Sequence, residues 1–162
     1  MASWQELLDR PEGTFTSFKS TPTMSRLPET SAGISESERT ILIVEDNSGD
    51  VALLRHTLDH HGVRSRIVVM KDDERASKFL DGAEAKEQAV PALIILDLNL
   101  PTKTGRELLA RVRQSLLLKD VPVVVFSSSE AETDRQEALR LGANRYVTKP
   151  SNLDAFLNIV RF

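Results

Sequence analysis

Five polar side chains lie within two residues of the ends of apolar stretches in this 162-residue sequence, and their types suit the chemistry of a phosphoryl group. They are Glu45, Asp46, Asp97, Ser127 and Lys149. Carboxylates that lie close together repel, and each raises the pKa of its neighbours unless a cation intervenes. Mg2+ takes oxygen ligands of this kind, and a lysine and a hydroxyl would hold the remaining charge of a phosphoryl group. The set therefore predicts a site that binds a metal ion and a phosphoryl group together.

Asp97 is the residue that we expect to carry the phosphoryl group, because a carboxylate can act as a nucleophile and form an aspartyl phosphate. It ends the central apolar run, and Asn99 and Pro101 follow in a tight connection. Glu45 and Asp46 would then hold the metal ion. The alternative for any one acid is a helix cap or a solvated loop residue, which explains a single position better than it explains all five.

The elements that must position these residues alternate along the chain from Thr40 onward, as apolar stretches followed by helical periodicities. The predicted strands are Ile41–Val44, Arg66–Met70, Ala92–Leu96, Val121–Phe126 and Arg145–Thr148. The predicted helices are one from Ser48 to Gly62, then Asp72–Asp81, Thr104–Leu118, Glu130–Leu141 and Asn152–Val160. This order predicts an α/β fold with a five-stranded parallel sheet, doubly wound, with helices on both faces. Ligands of such sheets collect at the carboxyl ends of the strands, where the five polar residues lie.

Composition divides the chain near residue 39 and excludes several classes of protein. Residues 1–39 are rich in Ser, Thr and Pro and predict a mobile tail, whereas residues 40–162 predict one globular domain. The absence of Cys excludes disulfides and thiolate metal sites. A formal net charge of -3 argues against direct nucleic-acid binding through bulk charge. No apolar run approaches the roughly 18 residues of a membrane helix, and no signal peptide is evident, so we expect a cytoplasmic protein without membrane insertion.

From Thr40 to its end the sequence resembles a response-regulator receiver domain. The matching segments, in order, are ILIVEDN (41–47), LIILDLNLP (93–101), VVVFSSSE (123–130) and LGANRYVTKP (141–150). The resemblance implies a flavodoxin-like (βα)5 fold and a response regulator that accepts a phosphoryl group from a sensor histidine kinase in a Mg2+-dependent reaction. Slow self-dephosphorylation would reset it. The protein would be a phosphoacceptor that promotes its own reactions rather than an enzyme.

The resemblance also assigns roles to individual residues of the metal and phosphoryl site. Asp97 matches the phosphoacceptor, Asp46 the direct metal ligand, and Glu45 the acid that reaches the metal through water. Asn99 matches the residue whose backbone carbonyl completes the metal site. We also expect Asn99 and Ser129 to influence the rate of hydrolysis.

Four further positions match residues at or next to the phosphoryl site. Ser127 and Lys149 match the hydroxyl and the ammonium that stabilise it. Tyr146 matches an aromatic residue that switches between outward and inward positions together with Ser127, although a rim tyrosine with a hydrated hydroxyl is an equal alternative. Pro150 matches a proline that is often preceded by a cis peptide bond.

The expected partners are other proteins, because no second domain follows Phe162 in the sequence. The motifs resemble most the stand-alone regulators of phytochrome-type histidine kinases. A phosphotransfer protein is a second candidate partner, and a homodimer through the fourth helix, the fifth strand and the fifth helix is a third.

Three alternatives stay open at this point. The first is a receiver-like binding module that is not phosphorylated, against which the intact Asp97, Ser127 and Lys149 argue. The second is a phosphatase of the haloacid-dehalogenase type, which would need an aspartate where Asn99 stands. The third is a separate metal site on the first helix, built from His56, His60 and His61.

Overall fold

The structure, a computed structural model, describes residues 39–100 and 105–150, which form strands and helices in strict alternation. The strands are β1 (Thr40–Val44), β2 (Arg66–Met70), β3 (Leu93–Leu96), β4 (Val123–Ser127) and β5 (Arg145–Thr148). The helices in these ranges are α1 (Ser48–His60), α2 (Asp73–Glu84), α3 (Gly105–Gln114) and α4 (Glu132–Arg140). All five strands pair in parallel in the order β2-β1-β3-β4-β5. The predicted α/β fold is confirmed.

Each face of the sheet carries its own hydrophobic core, because successive residues of a strand point to opposite sides. On one face, Ile41 and Ile43 of β1 pack with Leu54 and Leu58 of α1. On the other face, Leu42 and its neighbours pack with residues of the remaining three described helices. These residues are Ala76, Phe79, Leu80, Leu108, Leu109, Val112 and Ala138. The helices therefore cover both faces, as predicted, and the central strands are fully buried.

Strand register brings the predicted functional residues to one edge of the sheet. Val44 of β1 lies opposite Leu96 of β3, and Ser127 of β4 lies opposite Thr148 of β5. Backbone hydrogen bonds continue one residue past the strands, with the Asp97 N–H donating to the Val44 carbonyl at 3.0 Å. Similarly, the Lys149 N–H donates to the Ser127 carbonyl at 2.7 Å. The first residues after β1, β3 and β5 are therefore held in place by the sheet itself.

The opposite edge of the sheet is tied together by Arg113 of α3. Its guanidinium donates four hydrogen bonds of 2.7–3.0 Å to acceptors in the loops that precede β4 and β5. The acceptors are the carbonyls of Lys119, Val121 and Gly142 and the side chain of Asn144. Burial lowers the pKa of Arg113, with the nearby charge of Asp120 opposing the shift. Arg113 is thus a structural link on the side of the sheet remote from the predicted site.

Several element ends differ from the predicted ones. Helix α2 runs through Gly82 to Glu84, and the residue with a left-handed backbone after it is Lys86 (φ 60°). Helix α3 ends at Gln114 because the Ser115 hydroxyl accepts the backbone N–H groups of the next turn. Strand β4 begins after Pro122, which has no N–H to donate.

Some predicted features lie outside the described residues. They are the N-terminal tail up to residue 38, residues 101–104 and the helix Asn152–Val160. Within the described ranges the longest helix has 13 residues, and none combines the length and apolarity needed to span a bilayer.

Candidate functional site

Three carboxylates meet where β1 and β3 end. One oxygen each from Glu45, Asp46 and Asp97 lies within 4.8 Å of the other two. Glu45 and Asp97 are buried, with relative exposures of 1% and 4%, whereas Asp46 is exposed. The site is therefore a small acidic pocket with one wall open to solvent.

Each buried carboxylate is oriented by the backbone of its own loop. The Asn47 N–H donates to Glu45 Oε1 at 3.0 Å, and the Asn99 N–H donates to Asp97 Oδ1 at 2.9 Å. Both bonds span two residues, as in Asx-type turns. Each bond leaves the second carboxylate oxygen to accept from Lys149. A Cβ added at Gly105 would clash with the Asp97 carbonyl, so α3 begins against this loop with no room for a side chain.

Lys149 supplies the positive charge of the pocket. Its Nζ donates to Glu45 Oε2 and Asp97 Oδ2, both at 2.7 Å, and to Asp50 Oδ2 at 2.8 Å. It also lies 5.4 Å from the centre of the Phe126 ring, within the range of a cation–π contact. The lysine therefore bridges the ends of β1, β3 and α1 from its position after β5.

The electrostatics of the pocket balance burial against these contacts. Burial raises the pKa of Glu45, and hydrogen bonds from Lys149 and the Asn47 N–H act against that rise without cancelling it. For Lys149, burial alone would lower the pKa. The hydrogen bonds to Asp50, Asp97 and Glu45 outweigh burial, so its pKa lies above the ordinary value. A nearby cation stabilises the charged form of these buried carboxylates, and in this structure that cation is the Lys149 ammonium.

Ser127 and Tyr146 converge on one loop beyond β4. Ser127 is buried, and its hydroxyl oxygen accepts the Ser129 N–H at 3.2 Å. The Tyr146 ring packs partly buried against the larger core, and its hydroxyl donates to the Ser129 carbonyl at 2.8 Å. The tyrosine hydroxyl is therefore bonded to the protein backbone. Ser129 links the predicted phosphoryl-stabilising serine to the predicted aromatic switch.

The same loop is anchored to α4 and α3. The Ser129 hydroxyl donates to Asp134 Oδ2 at 2.5 Å, and Asp134 pairs with Arg106 of α3 at 2.8 Å. Arg106 also pairs with Glu137 at 2.9 Å. A displacement of the loop after β4 would therefore move or break the contacts of Asp134 in the first turn of α4.

Asn99 and Pro150 complete the list of predicted positions. The Asn99 side chain is exposed, and its Nδ2 lies 3.5 Å from the Ser128 hydroxyl at the mouth of the pocket. The expectation of a cis bond before Pro150 is wrong for this structure, because no peptide bond among the described residues is cis. The trans isomer is favoured at most prolines by about 0.5–1 kcal/mol.

The structure shows a contact of Asp50 with Lys149 that was not predicted from the sequence, and it does not support the alternative of a histidine metal site on α1. Asp50 was not singled out, although a carboxylate in the first turn of a helix that follows β1 could have been placed near this edge. The His56 and His60 rings stack 6.4 Å apart. However, the only described group that brings three metal-ligating side chains together is the acidic one.

Comparison with known proteins finds similarity over most of the chain. Residues 41–161 match the family described as response regulator receiver domain. The response regulator Rcp1 of Synechocystis is 37% identical over 124 residues, which are 76% of this chain and 84% of that protein. The structure of Mn(2+)-bound Rcp1 superposes with a TM-score of 0.69, covering 76% of this chain and 89% of that chain at 37% identity. The phosphorylated cyanobacterial phytochrome response regulator RcpA gives a TM-score of 0.70 at 38% identity, covering 77% and 90%.

Proposed function

The chain belongs to the response regulator receiver domain family, and from that membership we propose that Asp97 accepts a phosphoryl group from the phosphohistidine of a sensor kinase. Response regulators of this family act in phosphorylation-based two-component signalling. The observation that carries the assignment is the pocket itself. A buried Asp97 carboxylate faces a lysine ammonium at 2.7 Å beside two further acids.

The acidic pocket fits a divalent cation. Its donors are carboxylate oxygens, which are the ligands that Mg2+ prefers, and the Lys149 ammonium already occupies a cation's place between Glu45 and Asp97. Glu45, Asp46, Asp97 and the backbone carbonyl of Asn99 would hold the ion. When bound, Mg2+ would neutralise charge that develops on the phosphoryl oxygens during transfer. That Rcp1 has been solved with Mn(2+) bound supports a divalent site in this family.

In the reaction, an oxygen of Asp97 attacks the phosphorus atom and the phosphorus–nitrogen bond of the donor histidine breaks. The electron pair returns to the imidazole nitrogen, and the product is an acyl phosphate on Asp97. Lys149 and the Ser127 hydroxyl would stabilise the negative phosphoryl oxygens. Resetting is the attack of water on phosphorus, which breaks the bond to Asp97, restores its carboxylate and releases inorganic phosphate. We expect Ser129 and the exposed Asn99 to flank the approach of that water and to influence the rate of this slow self-dephosphorylation.

The switch would work through the loop that begins at Ser127. A phosphoryl group on Asp97 would attract the Ser127 hydroxyl as a donor, and a turn of that hydroxyl toward Asp97 would strain the bond that it accepts from the Ser129 N–H. Ser129 in turn holds Tyr146 and Asp134, so its displacement would reach the end of the sheet and the start of α4. A phosphoryl group shifts this equilibrium only by the difference in its affinity for the two loop positions.

The proposed output is a change of protein contacts at α4 and β5. A phytochrome-type histidine kinase is the partner that the similarity to RcpA supports, and a phosphotransfer protein would use the same chemistry. A homodimer through α4 and β5 is a second proposed use of this face. We propose no direct nucleic-acid contact.

The test is incubation of the protein with acetyl phosphate and Mg2+, with intact-protein mass spectrometry as the measurement. We expect a phosphorylated species that forms only with a divalent cation and is lost in Asp97→Ala. Asp59→Asn, which removes an exposed carboxylate at the far end of α1, should label like the wild type. No labelling of the wild type would favour a binding module, and steady phosphate release without a stable label would favour a phosphatase. Transfer from a panel of histidine kinases would then identify the donor.

A further inference from the structure

The third carboxylate at Lys149 belongs to Asp50, which lies in α1. Asp50 Oδ2 lies 2.8 Å from Lys149 Nζ, and the two side chains are 22% and 14% exposed. Asp50 does not belong to the described group of metal-ligating acids, which consists of Glu45, Asp46 and Asp97. Its contact with the lysine is therefore separate from the metal site.

This difference matters because the other two carboxylates that contact Lys149 are also proposed to bind the metal ion. Glu45 and Asp97 are the proposed metal ligands, and a divalent cation that takes up their oxygens weakens their bonds to the ammonium. A lysine side chain loses much rotamer freedom when it is fixed, so it needs a partner to stay in place. Among the three carboxylates that contact Lys149, Asp50 is the one that is not a proposed metal ligand.

The position of Asp50 follows from the start of α1. The Asn47 side chain accepts the N–H groups of Gly49 and Asp50 at 2.8 and 3.3 Å, which fixes the first turn. An acid in this turn is also favourable for the helix dipole. Dipole stabilisation alone would explain the residue type, but it would not require a hydrogen bond across to the end of β5.

We propose that Asp50 is a positioning residue that keeps the Lys149 ammonium beside the phosphoacceptor while the metal ion occupies the remaining carboxylates. This rests on the proposed function of Asp97. Without Asp50, Lys149 would leave the pocket part of the time, and phosphorylation at saturating Mg2+ would slow by about tenfold, since small losses of alignment cost one to two orders of magnitude in rate.

The test measures the phosphorylation rate of the full chain by acetyl phosphate at saturating Mg2+. Asp50→Asn, which is nearly isosteric, should lower the rate about tenfold, and Asp50→Glu should restore part of it. Asp59→Asn on the same helix should leave the rate unchanged. In a Lys149→Ala background, Asp50→Asn should have no further effect. An equal effect of Asp50→Asn with and without Lys149, or no effect in the wild-type background, would overturn the proposal.

A second readout separates this inference from the proposed function. In Mg2+-saturated protein without phosphodonor, the 15N–1H signal of the Lys149 ammonium should be visible in the wild type and in Asp59→Asn, because a fixed ammonium exchanges slowly with water. The signal should be lost in Asp50→Asn. If the wild type is never phosphorylated, the function fails, and this signal alone decides whether Asp50 fixes the lysine. Persistence of the signal in Asp50→Asn would refute the positioning role.

Discussion

Removing the charge of Lys149 should expose how far the pocket depends on a cation. Lys149→Met keeps much of the side-chain volume but leaves Glu45 and Asp97 without the ammonium that each contacts at 2.7 Å. Both acids are almost fully buried, with side-chain exposures of 2% and 5%. Breaking a buried pair in this way costs about 3–5 kcal/mol, because the remaining charges are uncompensated. Asp50 is more exposed and adds little to this cost.

Mg2+ should reverse much of the loss in this variant. With the competing ammonium removed, the metal ion binds the native state more tightly, and a ligand at about 100 times its Kd stabilises a protein by about 2.7 kcal/mol. We therefore expect the free energy of unfolding of Lys149→Met to rise more on addition of Mg2+ than that of the wild type.

Urea unfolding followed by circular dichroism, in EDTA and in excess Mg2+, measures both effects. Lys119→Met is the matched control, because Lys119 is exposed near the opposite edge of the sheet. We expect the free energy of unfolding of Lys119→Met to equal that of the wild type in both conditions. Equal stability of Lys149→Met and the wild type in EDTA would refute the reasoning about uncompensated charge. An equal Mg2+ effect in the two proteins would refute the competition between lysine and metal.

Three further predictions concern neighbouring parts of the fold. Arg113→Ala should lower the free energy of unfolding by about 2–4 kcal/mol, because it removes four hydrogen bonds from a charged donor, and Arg113→Lys should recover only part of this loss in urea titrations. Gly105→Ala should slow phosphorylation by acetyl phosphate, because its Cβ must displace the Asp97 backbone, and a wild-type rate would contradict the described contact. Tyr146→Phe should cost about 0.5–1.5 kcal/mol in thermal unfolding through loss of the bond to the Ser129 carbonyl, and no change would show that the bond contributes nothing.

The parallel sheet was predictable because its strands are short and strongly apolar. Leu93–Leu96 is buried on both faces, and its short length between helical periodicities favours a strand over a helix. Once the strands are placed, the rule for their carboxyl ends brings Glu45, Asp97, Ser127 and Lys149 to one edge without any further information.

The element ends were less predictable because local and tertiary effects compete there. The sequence predicts that the second helix ends at Asp81, yet the buried Gly82 packs closely against Gln88 and the helix continues to Glu84. Ser115 was placed within α3, but its hydroxyl caps the following turn. Both outcomes depend on contacts that residue type alone does not reveal.

The hydrogen-bond partners of the side chains within the site could not be predicted from the sequence either. The contact between Asp50 and Lys149 joins residues 99 positions apart and depends on the rotamer of a long side chain. The bond of the Tyr146 hydroxyl to the Ser129 carbonyl depends on the path of the loop after β4. Motif spacing predicts which residues meet at an edge of the sheet, but not which of their atoms form hydrogen bonds with one another.

The central claim, that Asp97 takes up the phosphoryl group, is tested most directly by locating the acyl phosphate. Borohydride reduction of protein treated with acetyl phosphate and Mg2+ converts a phosphorylated aspartate to homoserine, and peptide mass spectrometry identifies the position. The account predicts homoserine at position 97 in an amount that matches the phosphorylated fraction. Homoserine at Asp46 or another acid, or phosphate incorporation with an unmodified Asp97, would contradict it.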